Sequence, residues 1–172
     1  MSHKRSAPVT IQAAAPDLPE AAEILRDYLG EMIGRYYGRP AGDAEISHHL
    51  GAGHDSNDLA GPGGVLLLAR SADGGAPPRP VGCVGLRRLD ARTRELTRLF
   101  VRPGARGAGV AALLLAAAEQ RARADGASVI RLNTRSDLVE ARALYAGHGY
   151  REIPRYGDDP LAGHWFEKKL WP

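Results

Sequence analysis

Cysteine occurs once in these 172 residues, at position 83, so no intrachain disulfide framework can form. Lysine is nearly as scarce, at positions 4, 168 and 169 alone; arginine supplies almost all the positive charge, and the net charge is +3. No arginine-dense run with interleaved aromatics occurs, and no known recognition motif, so nothing points to nucleic acid. No apolar run approaches the ~20 residues that a bilayer-spanning helix needs, so no membrane partner is expected. Residues 1–6 are short and polar, without the apolar segment of a secretory signal, and the expected location is the cytoplasm. His48, His49 and His54 lie close together, but in no His-Glu-x-x-His arrangement and with no cysteine, so no metal is expected.

What is present is ordinary globular composition, 44% hydrophobic and 25% charged, in a length that suits one core. We expect a flexible tail over residues 1–7 and a single domain over 8–172. Residues 8–13 read as a first strand. Asp17 then reads as a helix N-cap, with Pro19 in the first turn and Glu20 three residues on. Leu18, Ala22, Leu25, Leu29, Met32, Ile33 and Tyr36 recur at spacings of three and four, which is one helix face. Residues 38–64 are punctuated by Gly, Pro, Asp and His and read as a connection with a short helix near 44–50. Strands are predicted at 65–69, 80–89 and 92–101, with a turn at Asp73-Gly74-Gly75. A helix over 107–125 ends at Gly126 and presents Val110, Leu113, Leu114 and Ala117. A strand at 128–133, a helix near 137 and a closing hairpin follow. Several antiparallel strands before a β-α-β-α-β-β series imply α+β architecture with a partly parallel centre, not a doubly wound sheet.

The segment Arg106-Gly107-Ala108-Gly109-Val110-Ala111 lies where a mostly apolar strand turns into an Ala- and Leu-rich helix. The first backbone N–H groups of a helix lack intrahelical partners, and the dipole there favours anions. Gly107 and Gly109 carry no Cβ, so a diphosphate can approach the main chain. A kinase-type loop needs Lys-Ser or Lys-Thr after the glycines, and neither follows. A dinucleotide fingerprint is met loosely by Gly107, Gly109 and Ala112, but the next strand ends in Asn133-Thr134-Arg135, without the required acid. A third pattern, Arg/Gln-x-x-Gly-x-Gly/Ala, is met by Arg106, Gly109 and Ala111. The bland alternative is a helix start with no ligand.

That third pattern resembles the acyl-CoA pyrophosphate loop of the GNAT superfamily of N-acetyltransferases. Downstream, Ala141, Leu144, Tyr145, Gly149 and Tyr150 resemble the family's second signature, a helix carrying Ala-x-x-Leu-Tyr and ending in Gly-Phe/Tyr. Ile153, Tyr156 and His164-Trp-Phe-Glu-Lys-Lys-Leu170 look like the C-terminal hairpin of small bacterial members. The resemblance covers about residues 8–170. One departure is Leu138, where many relatives carry Asn three residues before the helix Ala.

The resemblance implies a GNAT-like fold, a central mixed and mostly antiparallel sheet flanked by helices. It implies that acetyl-CoA, as acyl donor, sets its diphosphate on the amides of Arg106, Gly107, Ala108, Gly109, Val110 and Ala111. The pantetheine arm would lie along Leu99, Phe100 and Val101, where the central strands part, with the thioester near Asn133. Tyr145 is the candidate general acid to the CoA sulfur, a phenol pKa of ~10 being near that of a thiol; the alternative is a helix Tyr packed on the sheet. Glu95 is the candidate base, acting through a water; the alternative is an exposed charge on a strand. Oxyanion stabilisation would come from a strand N–H near Val101. Arg98, placed by alternation on the face of Leu96 and Phe100, either selects a substrate carboxylate or is a surface cation. Cys83, among apolar residues, reads as a buried thiol and not a nucleophile.

Tyr28, Met32 and Tyr36 of the first helix, the 38–64 connection and the C-terminal hairpin would wall the acceptor site, with His48, His49 or His54 as substrate contacts. The expected activity is N-acetyl transfer to a primary amine of a small molecule, peptide or protein, by direct attack in a ternary complex. A longer acyl donor such as succinyl-CoA, a catalytically silent CoA-binding regulatory module, and a dinucleotide oxidoreductase stay open beside it. Edge strands in the C-terminal hairpin would offer a route to a homodimer.

Overall fold

The computed structural model describes residues 7–54, 56–72 and 75–171. Most of the expected tail, the Asp73-Gly74 part of the expected turn and Pro172 lie outside the described residues. The elements run β1 (Val9–Ala14), α1 (Pro19–Tyr37), α2 (Asp43–His49), β2 (Gly64–Ser71), β3 (Arg79–Arg88), β4 (Thr93–Val101), α3 (Val110–Ala124), β5 (Val129–Thr134), α4 (Val139–Gly147), β6 (Arg151–Ile153) and β7 (His164–Lys169). The seven strands form one sheet in the order β1-β2-β3-β4-β5-β7-β6. Every pairing is antiparallel except β4 with β5. This is the α+β architecture with a partly parallel centre that the order of elements implied, and the mixed, mostly antiparallel sheet that the resemblance implied.

Alternation along the strands divides the core between two faces. Val65, Leu67 and Ala69 of β2 join Val84, Leu86, Leu96, Ile130 and Leu132 beneath α3 and α4. Leu66 and Leu68 point the other way and join Cys83, Phe100, Ala21, Ile24 and Leu25 beneath α1. β2 is therefore buried on both faces, which is why it reads as an unbroken apolar run.

Several expectations are corrected. Asp17 is not the N-cap of α1: Leu18 holds that position, and no side chain caps it. Glu20 does not turn back to close a capping box but pairs with Arg70 of β2. The helix after the glycine turn starts at Val110, three residues later than expected, because Gly107 and Gly109 take left-handed φ of +80° and +79°. Its buried face is Val110, Leu114, Leu115, Ala118, Glu119 and Ala122; Leu113 points outward and is 46% exposed, and Ala117 is half-buried. Asp137 does not start α4. Leu138 occupies the N-cap, without the side-chain hydrogen bond an Asn there can supply, and Arg135 binds the Asp137 carboxylate at 2.7 Å. Of the C-terminal pair, only the three-residue β6 is an edge, since β7 inserts between β5 and β6.

The alternation rule fails at one place in β4. Cys83 is opposite Phe100 and Gly85 is opposite Thr97, so Val84 alone faces both Arg98 and Leu99. This is a β-bulge, and Arg98 sits in it at φ +53°. The extra residue reverses the faces beyond it: Leu96 packs under α3, but Phe100 packs under α1. Arg98 therefore does not share one face with both.

The corrected register of α3 is testable. Leu114→Ala empties a fully buried site and is expected to cost about 2–5 kcal/mol. Leu113→Ala is expected to stay within about 0.5 kcal/mol. Urea unfolding of the two variants separates this register from the expected one.

Candidate active site

β4 and β5 pair only from Thr93 to Glu95 and from Val129 to Arg131. Beyond that point β4 stays with β3 through its bulge, while β5 pairs with β7 along its full length. The two parallel strands separate, and a cavity of about 580 Å³ opens in the split. β4 lines it with Glu95, Leu96, Thr97, Arg98 and Leu99; β5 and α4 line it with Asn133, Thr134, Leu138 and Tyr145. Tyr28, Met32 and Tyr36 of α1 form a further wall, and Asp159, Leu161 and Ala162 come from the β6–β7 connection. The structure thus brings together Glu95, Arg98, Leu99, Asn133, Tyr145, Tyr28, Met32 and Tyr36.

Phe100, Val101 and the glycine turn lie outside this cavity. The Phe100 ring is buried against α1, edge-on to Tyr28 at 6.1 Å. The Val101 carbonyl accepts a hydrogen bond from Arg106 Nε at 2.8 Å, and the same guanidinium pairs with Glu31 at 2.7 Å. Arg106 is therefore committed to the turn's own architecture, and the main chain is what the turn offers to an anion. Its fit to a diphosphate is good: no side chain caps α3, and at Gly107 and at Gly109 a Cβ would meet nothing within 4 Å, leaving both faces open.

Glu95 is 5% exposed, which overturns the reading of it as an exposed strand charge. Register sets Arg87 directly opposite, and Arg87 donates to Glu95 Oε1 from Nε at 2.7 Å. Tyr156 donates its hydroxyl to Oε2 at 2.8 Å. Both oxygens of the carboxylate are therefore occupied. Arg98 is neither a free selector nor a bare surface cation, since Asp58 holds it at 3.1 Å. Asp58 also pairs with Arg87 at 3.5 Å, so one ionic chain runs from Arg98 through Asp58 and Arg87 to Glu95 and Tyr156. Asp58 and Tyr156 were not foreseen. Their signal exists only in three dimensions, because their partners are 40 and 61 residues away.

Tyr145 is 6% exposed, against Tyr150 at 5.8 Å and Phe166 at 6.0 Å. Among the described residues nothing hydrogen-bonds its hydroxyl. Burial, then the nearby Tyr28, raises its pKa above the ordinary phenol value. The protonated form is the one the cavity holds. Cys83 is fully buried and does not line the cavity; its thiol donates to the Arg98 carbonyl at 3.4 Å, supporting the bulge. His49 lines the cavity, and its ring lies 6.0 Å from that of His48; the side chain of His54 lies outside the described residues. No helix among the described residues is long and apolar enough to cross a membrane.

A split parallel pair beside an open helix N-terminus offers unpaired main chain to an extended ligand and free amides to an anion. The chain belongs to the acetyltransferase (GNAT) family, whose model matches residues 22–150. It is 33% identical over 159 residues to an IAA acetyltransferase from Azospirillum brasilense, covering 90% of this chain and 94% of that protein. Among solved structures, a Klebsiella pneumoniae chain assigned as an acyl-CoA N-acyltransferase superposes with a TM-score of 0.67 at 26% identity, covering 95% of this chain and 98% of that one. The PaiA N-acetyltransferase of Thermoplasma acidophilum, solved with coenzyme A, superposes with a TM-score of 0.70 at 18% identity, covering 94% and 99%. Family membership makes this chain an acyl-CoA-dependent transferase in class.

The buried weak acids in and around the site imply an alkaline limit to stability. Burial pushes the Cys83 thiol from 9.0 up to about 12. Burial raises Tyr28, Tyr145, Tyr150 and Tyr156 as well, with Glu119 and Glu95 adding to the last two. The folded state holds these protons more tightly than the unfolded chain, so their contribution is complete below pH 9 and is lost as pH rises from 9 towards 12. The urea midpoint is expected to be flat from pH 7 to 8.5 and to fall steeply above pH 9. Iodoacetamide at pH 8 should label native Cys83 at least ~100-fold more slowly than the urea-unfolded chain.

Proposed function

We propose that this protein transfers the acetyl group of acetyl-CoA to a primary amine by direct attack while both substrates are bound. The observation that carries the reading is the separation of β4 from β5 beyond Glu95 and Arg131, with Tyr145 on one wall and Leu99 on the other. The amides of Gly107 to Ala111 hold the diphosphate; the amide of Arg106, expected among them, donates instead to the Pro103 carbonyl at 3.3 Å, and its side chain braces the turn through Val101 and Glu31. Unpaired main chain of β4 near the bulge at Arg98 and Leu99 supplies extended hydrogen-bonding groups along the split, and an N–H of this stretch faces the developing oxyanion.

Tyr145 delivers a proton to the departing sulfur. Its raised pKa is no obstacle, because a dry site raises a thiol too, as Cys83 in the same protein illustrates. The two acids stay matched, which is the condition for efficient proton sharing. Both oxygens of Glu95 are already engaged, one by Arg87 and one by Tyr156. We assign it to positioning, and the acceptor attacks as the neutral amine. Direct transfer is preferred to an acyl-enzyme because the single Cys83 is fully buried and does not line the cavity.

Calorimetric titration with acetyl-CoA, with NAD and ATP as controls, tests the donor site. Micromolar binding of acetyl-CoA alone is expected, and failure of that binding overturns the reading. In a thiol-release assay with primary amines, Tyr145→Phe is expected to lower kcat about 100-fold with little change in acetyl-CoA affinity. Gly109→Pro replaces a φ of +79° with one near −65° and is expected to weaken acetyl-CoA binding. Unchanged turnover in both variants sinks the proposal. Faster turnover of succinyl-CoA would replace acetyl by the longer donor.

A further inference from the structure

Three carboxylates line the cavity: Asp58, Glu95 and Asp159. Three arginines line it too: Arg87, Arg98 and Arg135. Asp58 and Glu95 are neutralised by Arg87 and Arg98. Arg135 is neutralised by Asp137, just outside the cavity, at 2.7 Å. Asp159 is the cavity-lining carboxylate that no cation neutralises among the described residues. Its Oδ1 accepts only the backbone N–H of Leu161, at 2.9 Å, which turns the loop without discharging the acid.

The loop that carries Asp159 is held at both ends. Tyr156 is fastened to Glu95 at 2.8 Å and lies edge-on to the buried Trp165 at 4.8 Å. At the other end the Gly163 N–H donates to the Thr134 carbonyl at 2.9 Å, and a Cβ on Gly163 would sit 2.0 Å from Ser136 Oγ. Asp159 is thus a solvent-exposed carboxylate at the rim of the cavity, on a segment anchored at both ends. Burial is the main cause of the raised phenol of Tyr28, and the Asp159 charge adds to it.

We propose that Asp159 selects acceptors that carry a second cation, remote from the nitrogen that is acylated. The inference rests on the acetyl-transfer reading and names the acceptor class for it. The attacking nitrogen must be neutral, and a carboxylate beside it would retain its proton. A carboxylate at the cavity wall is therefore suited to a cation that does not react. Between the two nitrogens the acceptor's body lies along the apolar side chains of Leu25, Leu29 and Met32. The acceptor class is an aliphatic diamine or longer polyamine rather than an amino acid, whose carboxylate would face Asp159.

The test uses three acceptors of one length with acetyl-CoA: 1,4-diaminobutane, butylamine and 4-aminobutyrate. The expected order of kcat/KM is diamine, then butylamine, then aminobutyrate, with the diamine at least ten-fold ahead of butylamine. Asp159→Asn is expected to erase the diamine's lead through KM, leaving kcat and the butylamine value in place. Asp159→Lys is expected to invert the order in favour of 4-aminobutyrate. Tyr156→Phe, which loosens the loop but keeps the charge, is expected to raise KM for the diamine several-fold and to leave acetyl-CoA affinity alone. A diamine preference that survives Asp159→Asn overturns the inference, as does equal use of the three acceptors. Binding of acetyl-CoA without turnover of any of the three also overturns it. Absence of acetyl-CoA binding removes the underlying transfer reading instead, so the two failures are distinct.

Discussion

The structure depends on a parallel pairing that ends early. Three residue pairs join β4 to β5, and then each strand follows its other neighbour. A sheet interior normally satisfies its backbone polar groups through the ladder, and a split leaves a line of donors and acceptors without partners. Such a line is costly unless something extended and polar covers it. It is tolerated here because the flanking pairings are long, antiparallel and buried, and because one of the orphan carbonyls, that of Val101, has been taken by Arg106. The split is therefore a localised defect in a sheet otherwise well able to carry it.

The bulge at Arg98 sets how the split is lined. A non-glycine residue at φ +53° costs about 1–2 kcal/mol, and the surroundings hold it there from two directions. The Cys83 thiol supports its carbonyl from below, and Asp58 grips its guanidinium from the side. Asp58 in turn depends on Gly64, where a Cβ would stand 2.1 Å from the Asp58 carbonyl, so a glycine at the start of β2 lets the 57–59 turn sit close enough to the site. Backbone strain at one residue is thus sustained by a thiol, an ion pair and a glycine from three different segments.

Much of the fold was legible because it rests on local rules. The strands, the extent of α1, the glycine turn and the Gly126 helix stop follow from periodicity and left-handed backbone preference; the α1 face does not, since Leu18, Ala22 and Tyr36 are exposed and the buried side is Ala21, Ile24, Leu25 and Ile33. Tyr145, Asn133 and Leu99 were legible as neighbours because the motifs that mark them belong to a strand–turn–helix–strand–helix series with fixed geometry. The illegible parts depend on register. Alternation predicted one face for Leu96, Arg98 and Phe100, and one inserted residue reversed it. A place between Arg94 and Leu96 suits Glu95 equally as a partly buried base or as an exposed charge, and only its cross-strand neighbour Arg87 and the distant Tyr156 reveal it as buried. Leu113 looked like core because spacings of three and four from Val110 admit Leu113 and Ala117 as readily as Leu114 and Ala118, and only the packing of α3 on the sheet decides between them.

The rim of the cavity is fastened by exposed ionic contacts. Arg35, near the end of α1, pairs with Glu140 and reaches Asp137 at 3.8 Å, and Arg135 donates to the Met32 carbonyl at 2.8 Å. These bonds stitch α1 to the start of α4, on either side of the opening. Contacts of this kind are weak individually and are screened by salt. The apolar layers beneath them are not. Rising ionic strength therefore loosens the doorway while leaving the room behind it intact.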